Sequence, residues 1–271
     1  MLIGGLLFLY SCSGETDSRD AQSGGEVIVK ADVSLKPVLQ EIAENYQRET
    51  TVPLKLQFAP SFELLADSSA DSVDTYIFAN DDFIESARRI NLIDSTGEIT
   101  LAFSVPCLLV PMFNPAMVSN LSDLKNPELR IGIPDPESDI LGRFALEILR
   151  KNQLYKSVYH RLIINGPSAL EMTERVAKCE LDVAIGWTVC PNWNPGGIEV
   201  VLLIPSEVPR VAVICAAKAA TPADSTNADN FMTYLKSDRS LHVFRKWGYM
   251  IADSDLDAYA PAAIRGGSPA Q

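Results

Sequence analysis

Three short stretches carry residues whose type and spacing suit the binding of an anion. Gly132-Ile133-Pro134-Asp135-Pro136-Glu137-Ser138 ends an apolar run, Leu129 to Ile133, in a tight Pro/Asp turn, and Leu141-Gly142-Arg143-Phe144-Ala145 then opens a helical pattern. Ser34 and Ser61 stand in the same relation, each after a β-like run and before helical periodicity. A helix that starts just beyond a strand end points unpaired backbone N–H groups at whatever lies there. A tetrahedral oxyanion offers four acceptor oxygens and no donors, so it needs N–H and O–H groups only. In a pocket free of acceptors, the proton of monohydrogen phosphate would go unsatisfied at about 1–3 kcal/mol, which favours sulfate-like or molybdate-like ions.

The elements that must position these residues alternate between strand and helix. Val27 to Ala31 reads as a buried strand, and Leu35, Val38, Leu39, Ile42, Ala43 and Tyr46 recur at helical spacing, with Ser34 as the expected N-cap. Strands are expected at 54–58, 75–79, 103–110, 129–133, 182–187, 200–204 and 211–216. Helices are expected at 61–66, 81–90, 141–151, 168–178, 223–236 and 238–247, the last stopped by Gly248. Such alternation implies parallel sheet built from right-handed βαβ units. The Ser34, Ser61, 138–142 and 166–169 turns all fall at strand ends, where open α/β sheets bind ligands.

The chain has 271 residues, is 47% hydrophobic and carries a net charge of −12. That acidity argues against nucleic acid as a partner, because phosphate backbones call for a basic surface. Leu2 to Leu9 is apolar but too short to span a bilayer. It leads through Leu9-Tyr10-Ser11 to Cys12 and a polar tract, an arrangement that looks like a lipoprotein signal although no Lys or Arg precedes it. Export with a lipid on Cys12 is therefore expected, residues 1–25 serving as signal and tether. Cys107, Cys179, Cys190 and Cys215 remain, with no CxxC among them, and read as small buried apolar residues whose pairing spacing alone leaves open.

Taken together, Ala31-Asp32-Val33-Ser34-Leu35, Phe58-Ala59-Pro60-Ser61, Phe78-Ala79-Asn80-Asp81, Asp135-Pro136-Glu137 with Gly142 and Ala145, Asp182 to Trp187 and Phe244 to Tyr249 resemble the periplasmic molybdate/tungstate-binding proteins, substrate-binding components of ABC transporters. The resemblance covers residues 26 to 250. It implies an α/β, two-lobed periplasmic-binding-protein fold of type II, each lobe a mixed sheet flanked by helices with the ligand between them. Lobe I would take 26–103 plus 210–251 and lobe II 104–209; the remaining 252–271, rich in Ala, Asp, Gly and Pro, reads from its composition as a loose tail. It implies an extracytoplasmic, monomeric receptor that delivers molybdate or tungstate to an inner-membrane permease and uses no cofactor. Carried over by position, the ligand would meet the hydroxyls of Ser34 and Ser61, backbone N–H groups of Ser34, Ser61, Leu141 and Ala169, and Trp187 where the family has a tyrosine. Leu141, Trp187 and Pro60 depart from the family pattern, which leaves sulfate, phosphate, an organic anion or a metal ion open on the same scaffold.

Two charges near these turns have alternative roles. Asp32 would oppose an anion if it faced one, or would bond a local backbone N–H. Arg143 would add a charged donor or lie in solvent. Trp193 is a rim aromatic or a packing anchor. An enzyme is not expected: His160 and His242 are the only histidines, and no G-x-S-x-G, Walker A or H-E-x-x-H motif occurs.

Overall fold

The computed structural model describes residues 25–66, 73–164, 166 and 168–269. The Cys12 and 1–24 assignments therefore lie outside the described residues. Eleven strands and nine α-helices follow in chain order among them. They are β1 (Val27–Asp32), α1 (Lys36–Thr50), β2 (Leu54–Ala59), α2 (Ser61–Ala66), β3 (Thr75–Phe78), α3 (Asp82–Arg89), β4 (Ile99–Ser104), β5 (Pro106–Pro111), β6 (Ile131–Ile133) and α4 (Ile140–Lys151). There follow α5 (Tyr155–Val158), β7 (Leu162–Ile164), α6 (Ala169–Ala177), β8 (Val183–Trp187), α7 (Cys190–Trp193), β9 (Ile198–Val201), β10 (Arg210–Lys218), α8 (Ser225–Leu235), α9 (Asp238–Lys246) and β11 (Ile264–Arg265).

Two mixed sheets result. One has the order β11-β10-β3-β1-β2 with β4 against β10, and the other runs β7-β6-β8-β5-β9. In the first sheet β1 is parallel to β2 and β3, and the long strand β10 runs antiparallel to β3 and β4. In the second, β6 is parallel to β7 and β8, while β5 is antiparallel to β8 and β9. The chain crosses between sheets twice, through Val105 and between β9 and β10. The apolar run 103–110, expected as one strand, is thus two strands in different sheets. Nothing in hydrophobicity marks the break, because both sides are buried.

The central strands are apolar on both faces, as strands covered by helices must be. β5 and β8 have no exposed residue, and Val29, Ala31, Ile131, Ile133, Leu108 and Ile185 are all fully enclosed. Helices lay single stripes on these sheets. In α1 the stripe is Val38, Leu39, Ile42 and Tyr46, and Tyr46 packs edge-on against Phe231 and Tyr234 of α8 at 5.2 and 5.0 Å. Gly248, at φ +86°, follows the last turn of α9 as the sequence suggests.

Residues 252–269 are not loose. β11 adds a parallel strand to β10, and Leu256, Ala260 and Ala263 are buried. Gly267 then donates to Asp81 at 2.6 Å, and its carbonyl accepts from Asn80 Nδ2 at 3.1 Å. Low apolar content misled the sequence reading, since this segment is held by backbone and carboxylate hydrogen bonds.

Candidate ligand cleft

The parallel register of β1 and β2 places Asp32 beside Ala59. The turns that follow those strands, one with Ser34 and one with Ser61, are therefore neighbours. The Asp32 carboxylate sits between them. Its Oδ1 accepts from the Ser34 N–H at 2.9 Å and from Ser34 Oγ at 2.6 Å. Its Oδ2 accepts from the Ser61 N–H at 2.9 Å and from Ser61 Oγ at 2.5 Å. All three residues are buried. Ser61 Oγ also accepts from the N–H of Ala79, just past β3, at 3.3 Å.

Ser34 is accordingly not the N-cap of α1. It lies in a 3-10 turn, Val33–Leu35, that Asp32 caps, and α1 itself starts without a side-chain cap. Of the two roles open to Asp32, the bond to a local N–H is the one present, and it extends to a second turn 29 residues away.

The other lobe repeats the arrangement with Asp139. Asp139 is the N-cap of α4, where Oδ1 accepts from the Leu141 N–H at 2.7 Å, and Oδ2 accepts from the Ala169 N–H at the start of α6 at 2.8 Å. Gly142 makes this packing possible: a Cβ there would stand 2.5 Å from the Pro134 carbonyl oxygen and 2.7 Å from the Pro136 nitrogen. Burial of the carboxyl group, and secondarily the charge of Asp32, push the Asp139 pKa up to about 7. Sequence reasoning missed Asp139, although an Asp directly before an apolar-periodic run is a standard helix-start signal.

Between the lobes lies a cavity of about 10 Å³ lined by Ser34, Ser104, Ile214 and the rings of Trp187, Trp193 and Tyr249. That is room for about one water molecule. Trp187 is almost fully buried and meets Phe144 of α4 edge-on at 5.8 Å. Tyr249 is buried too, and its hydroxyl and the Trp193 indole N–H make no hydrogen bond of good geometry. Burial drives the Tyr249 hydroxyl pKa strongly upward, so it stays protonated.

The lobes touch around this cavity. Arg143 of α4 sets its guanidinium 4.2 Å from the ring centre of Phe62 in α2, and its Nε donates to the Pro136 carbonyl at 3.0 Å. It is neither in free solvent nor bonded to the cleft carboxylates. Asn192 of α7 donates to the Trp247 carbonyl at 2.9 Å. A larger hollow of about 500 Å³ lies between α4 and the C-terminal segment, lined by Glu137, Arg143, Arg150 and Ser268. Among the described residues no group of three or more His, Cys, Asp or Glu side chains could hold a metal ion. Cys107, Cys179, Cys190 and Cys215 are free thiols; Cys179 is exposed, against the expectation that all four are buried, and burial pushes Cys190 and Cys215 up to about 12.

The chain resembles known proteins over nearly this whole two-lobed body. It is 22% identical over 245 residues to the putative ABC transporter substrate-binding lipoprotein YvgL of Bacillus subtilis, covering 90% of this chain and 93% of that one. It is 25% identical over 243 residues to the molybdate-binding protein ModA of Escherichia coli, covering 84% and 90%. The periplasmic molybdate-binding protein of Azotobacter vinelandii superposes with a TM-score of 0.72 at 17% identity, over 84% of this chain and all of the other. The fold is that of the type II periplasmic binding proteins, and no helix among the described residues is long and apolar enough to cross a membrane. The model for bacterial extracellular solute-binding proteins matches residues 27–250, and the chain belongs to that family.

Proposed function

We propose that this protein is the extracytoplasmic solute receptor of an ABC importer, closing its lobes on one small solute and handing it to an inner-membrane permease. The observation that carries this reading is the convergence of hydrogen-bonding groups from both lobes on one enclosed cleft. Ser34 and Ser61 come from one lobe, and Leu141 and Ala169 from the other. The turn that carries Ser34 packs against α6, and Trp187, Trp193 and Tyr249 wall a small cavity together with Ser34. Capture and release break no bond of the solute, so the reading asks for no catalytic group. Cys12 would carry the lipid, and the protein would act as a tethered monomer.

The donor set is the one a tetrahedral oxyanion needs, which makes molybdate or tungstate the first solutes to try. A second reading, a different solute on the same scaffold, is favoured by one observation: carboxylates of the chain already hold those donors. Native mass spectrometry of the protein isolated from its source cells tests the receptor function. One small molecule per chain is the expected result, and a chain that never carries one would sink it. Isothermal titration with molybdate, tungstate, sulfate and phosphate separates the two ligand readings.

A further inference from the structure

We propose that Asp32 and Asp139 are the specificity-determining residues of this cleft: tethered carboxylates that hold the oxyanion donors of both lobes, exclude free tetrahedral dianions, and leave the site to a solute that brings N–H or O–H donors of its own. The inference rests on the receptor reading above and deepens it by naming the solute class.

Three observations carry it. First, the occupation is complete. Asp32 accepts from both the backbone N–H and the hydroxyl of Ser34 and of Ser61. Asp139 accepts from the N–H groups of Leu141 and Ala169. Those six bonds use every donor that the family resemblance assigns to the anion, apart from the Trp187 ring. A dianion entering the closed cleft would have to displace two carboxylates and then sit beside them. Like charges in a buried site repel strongly, because little water is present to screen them.

Second, the two carboxylates are not equivalent. Four short bonds saturate Asp32. Asp139 has two, so in its ionised form each of its oxygens keeps acceptor capacity that a donor-bearing solute can use. The upward shift of the Asp139 pKa, through burial first and the Asp32 charge second, agrees with an acceptor left short of donors.

Third, the wall beside them is unsatisfied. Tyr249 is buried and lines the cavity, and its hydroxyl has the Trp193 indole as a polar neighbour but in poor hydrogen-bond geometry. A hydroxyl that can both donate and accept, set among aromatic faces, suits a neutral or cationic polar solute better than a dianion.

The test is titration of molybdate, tungstate and sulfate into the full chain and into the double variant Asp32→Ala/Asp139→Ala. The wild-type protein is expected to give no saturable heat with any of the three. The double variant, with its donors released, is expected to bind at least one of them at least 100-fold more tightly than the wild type does. Asp139→Ser, combined with Asp32→Ala, keeps a cap on α4 while removing the charge, and circular dichroism establishes which variants are folded. Saturable one-to-one binding of a dianion by the wild type would overturn the proposal and leave the receptor reading standing. Failure of every folded variant to gain binding would also overturn it, because the donors would then not be competent. A chain that carries no solute from its source cells is the separate failure of the receptor reading.

Discussion

Asp32 and Ser61, far apart in sequence, are joined twice, by the Ser61 N–H at 2.9 Å and by its hydroxyl at 2.5 Å, both to the same carboxylate oxygen. This pair ties the end of β1 to the start of α2 inside one lobe. Hydrogen bonds to a charged acceptor contribute about 1.5–3 kcal/mol each, and more is lost when the acceptor is left buried and short of donors. Ser61→Ala is therefore expected to lower folding stability by about 1.5–3 kcal/mol, read by urea denaturation. Ser34→Ala should fall in the same range. If either variant matched the wild type, the hydroxyls would not be holding Asp32.

Gly142→Ala tests the other lobe. The added methyl would press on the Pro134 carbonyl, the Pro136 nitrogen and the Asp135 carbon, all of them backbone atoms that no rotamer change can move. Overpacking of that kind costs about 1–3 kcal/mol. Alanine at Gly25, where nothing lies within 4 Å, should be neutral and serves as the control. A thermal melt in which both variants match the wild type would mean that the Asp135–Pro136 turn yields freely.

The two-lobed α/β architecture was legible because its strands are continuous apolar runs and its helices are amphipathic. Val27 to Ala31 and Val183 to Trp187 carry that signal locally. The turn residues Ser34, Ser61 and Leu141 were legible for the same reason, as they sit where one periodicity gives way to another. Three features were not legible. The break at Val105 is set by which sheet each half pairs with, a long-range choice. β11 has only two residues and exists because β10 offers it an edge. The contact of Asp32 with Ser61 follows from the β1–β2 register, which no local window contains. The expectation of a pocket without acceptors failed at that point. A local bond from Asp32 is within reach of its own sequence window, but its second partner depends on the paired strands, and Asp139 is marked only by its position before α4.

Arg210 and Glu147 connect the lobes beside the second crossing. The Arg210 Nε lies 3.0 Å from a Glu147 oxygen, and the Arg210 and Glu147 side chains are only 9% and 19% exposed. Arg210 also donates to the Gly266 carbonyl, which ties the C-terminal segment to the same guanidinium. Removing one partner of a buried pair strands the other charge and costs about 3–5 kcal/mol. Glu147→Ala is expected to approach that loss. Glu85→Ala, which breaks the exposed Arg89–Glu85 pair, should cost under about 0.5 kcal/mol. Equal effects of the two substitutions in a chemical denaturation series would contradict the burial argument.

Asp139 gives the protein a pH dependence whose sign can be worked out. Its carboxyl group, with an ordinary value of 3.8, is raised to about 7 in the folded chain by burial first and the Asp32 charge second. The native state therefore holds a proton that the unfolded chain has already released, and stability falls as pH rises through the interval between those values. The contribution is fully present below about pH 4, is lost progressively up to about pH 7, and does not return above it. A separation of roughly 3 pH units corresponds to about 4 kcal/mol, an upper figure because Asp139 is only half-buried and solvent screens it in part. Urea denaturation at pH 5.5 and pH 8 should find the wild type more stable at the lower value. Asp139→Asn keeps an acceptor for one N–H and removes the titration, so its two curves should lie closer together. Persistence of the full wild-type difference in Asp139→Asn would assign the pH dependence to another group. A wild type more stable at pH 8 would mean that the carboxyl group of Asp139 is ionised and satisfied in the closed cleft.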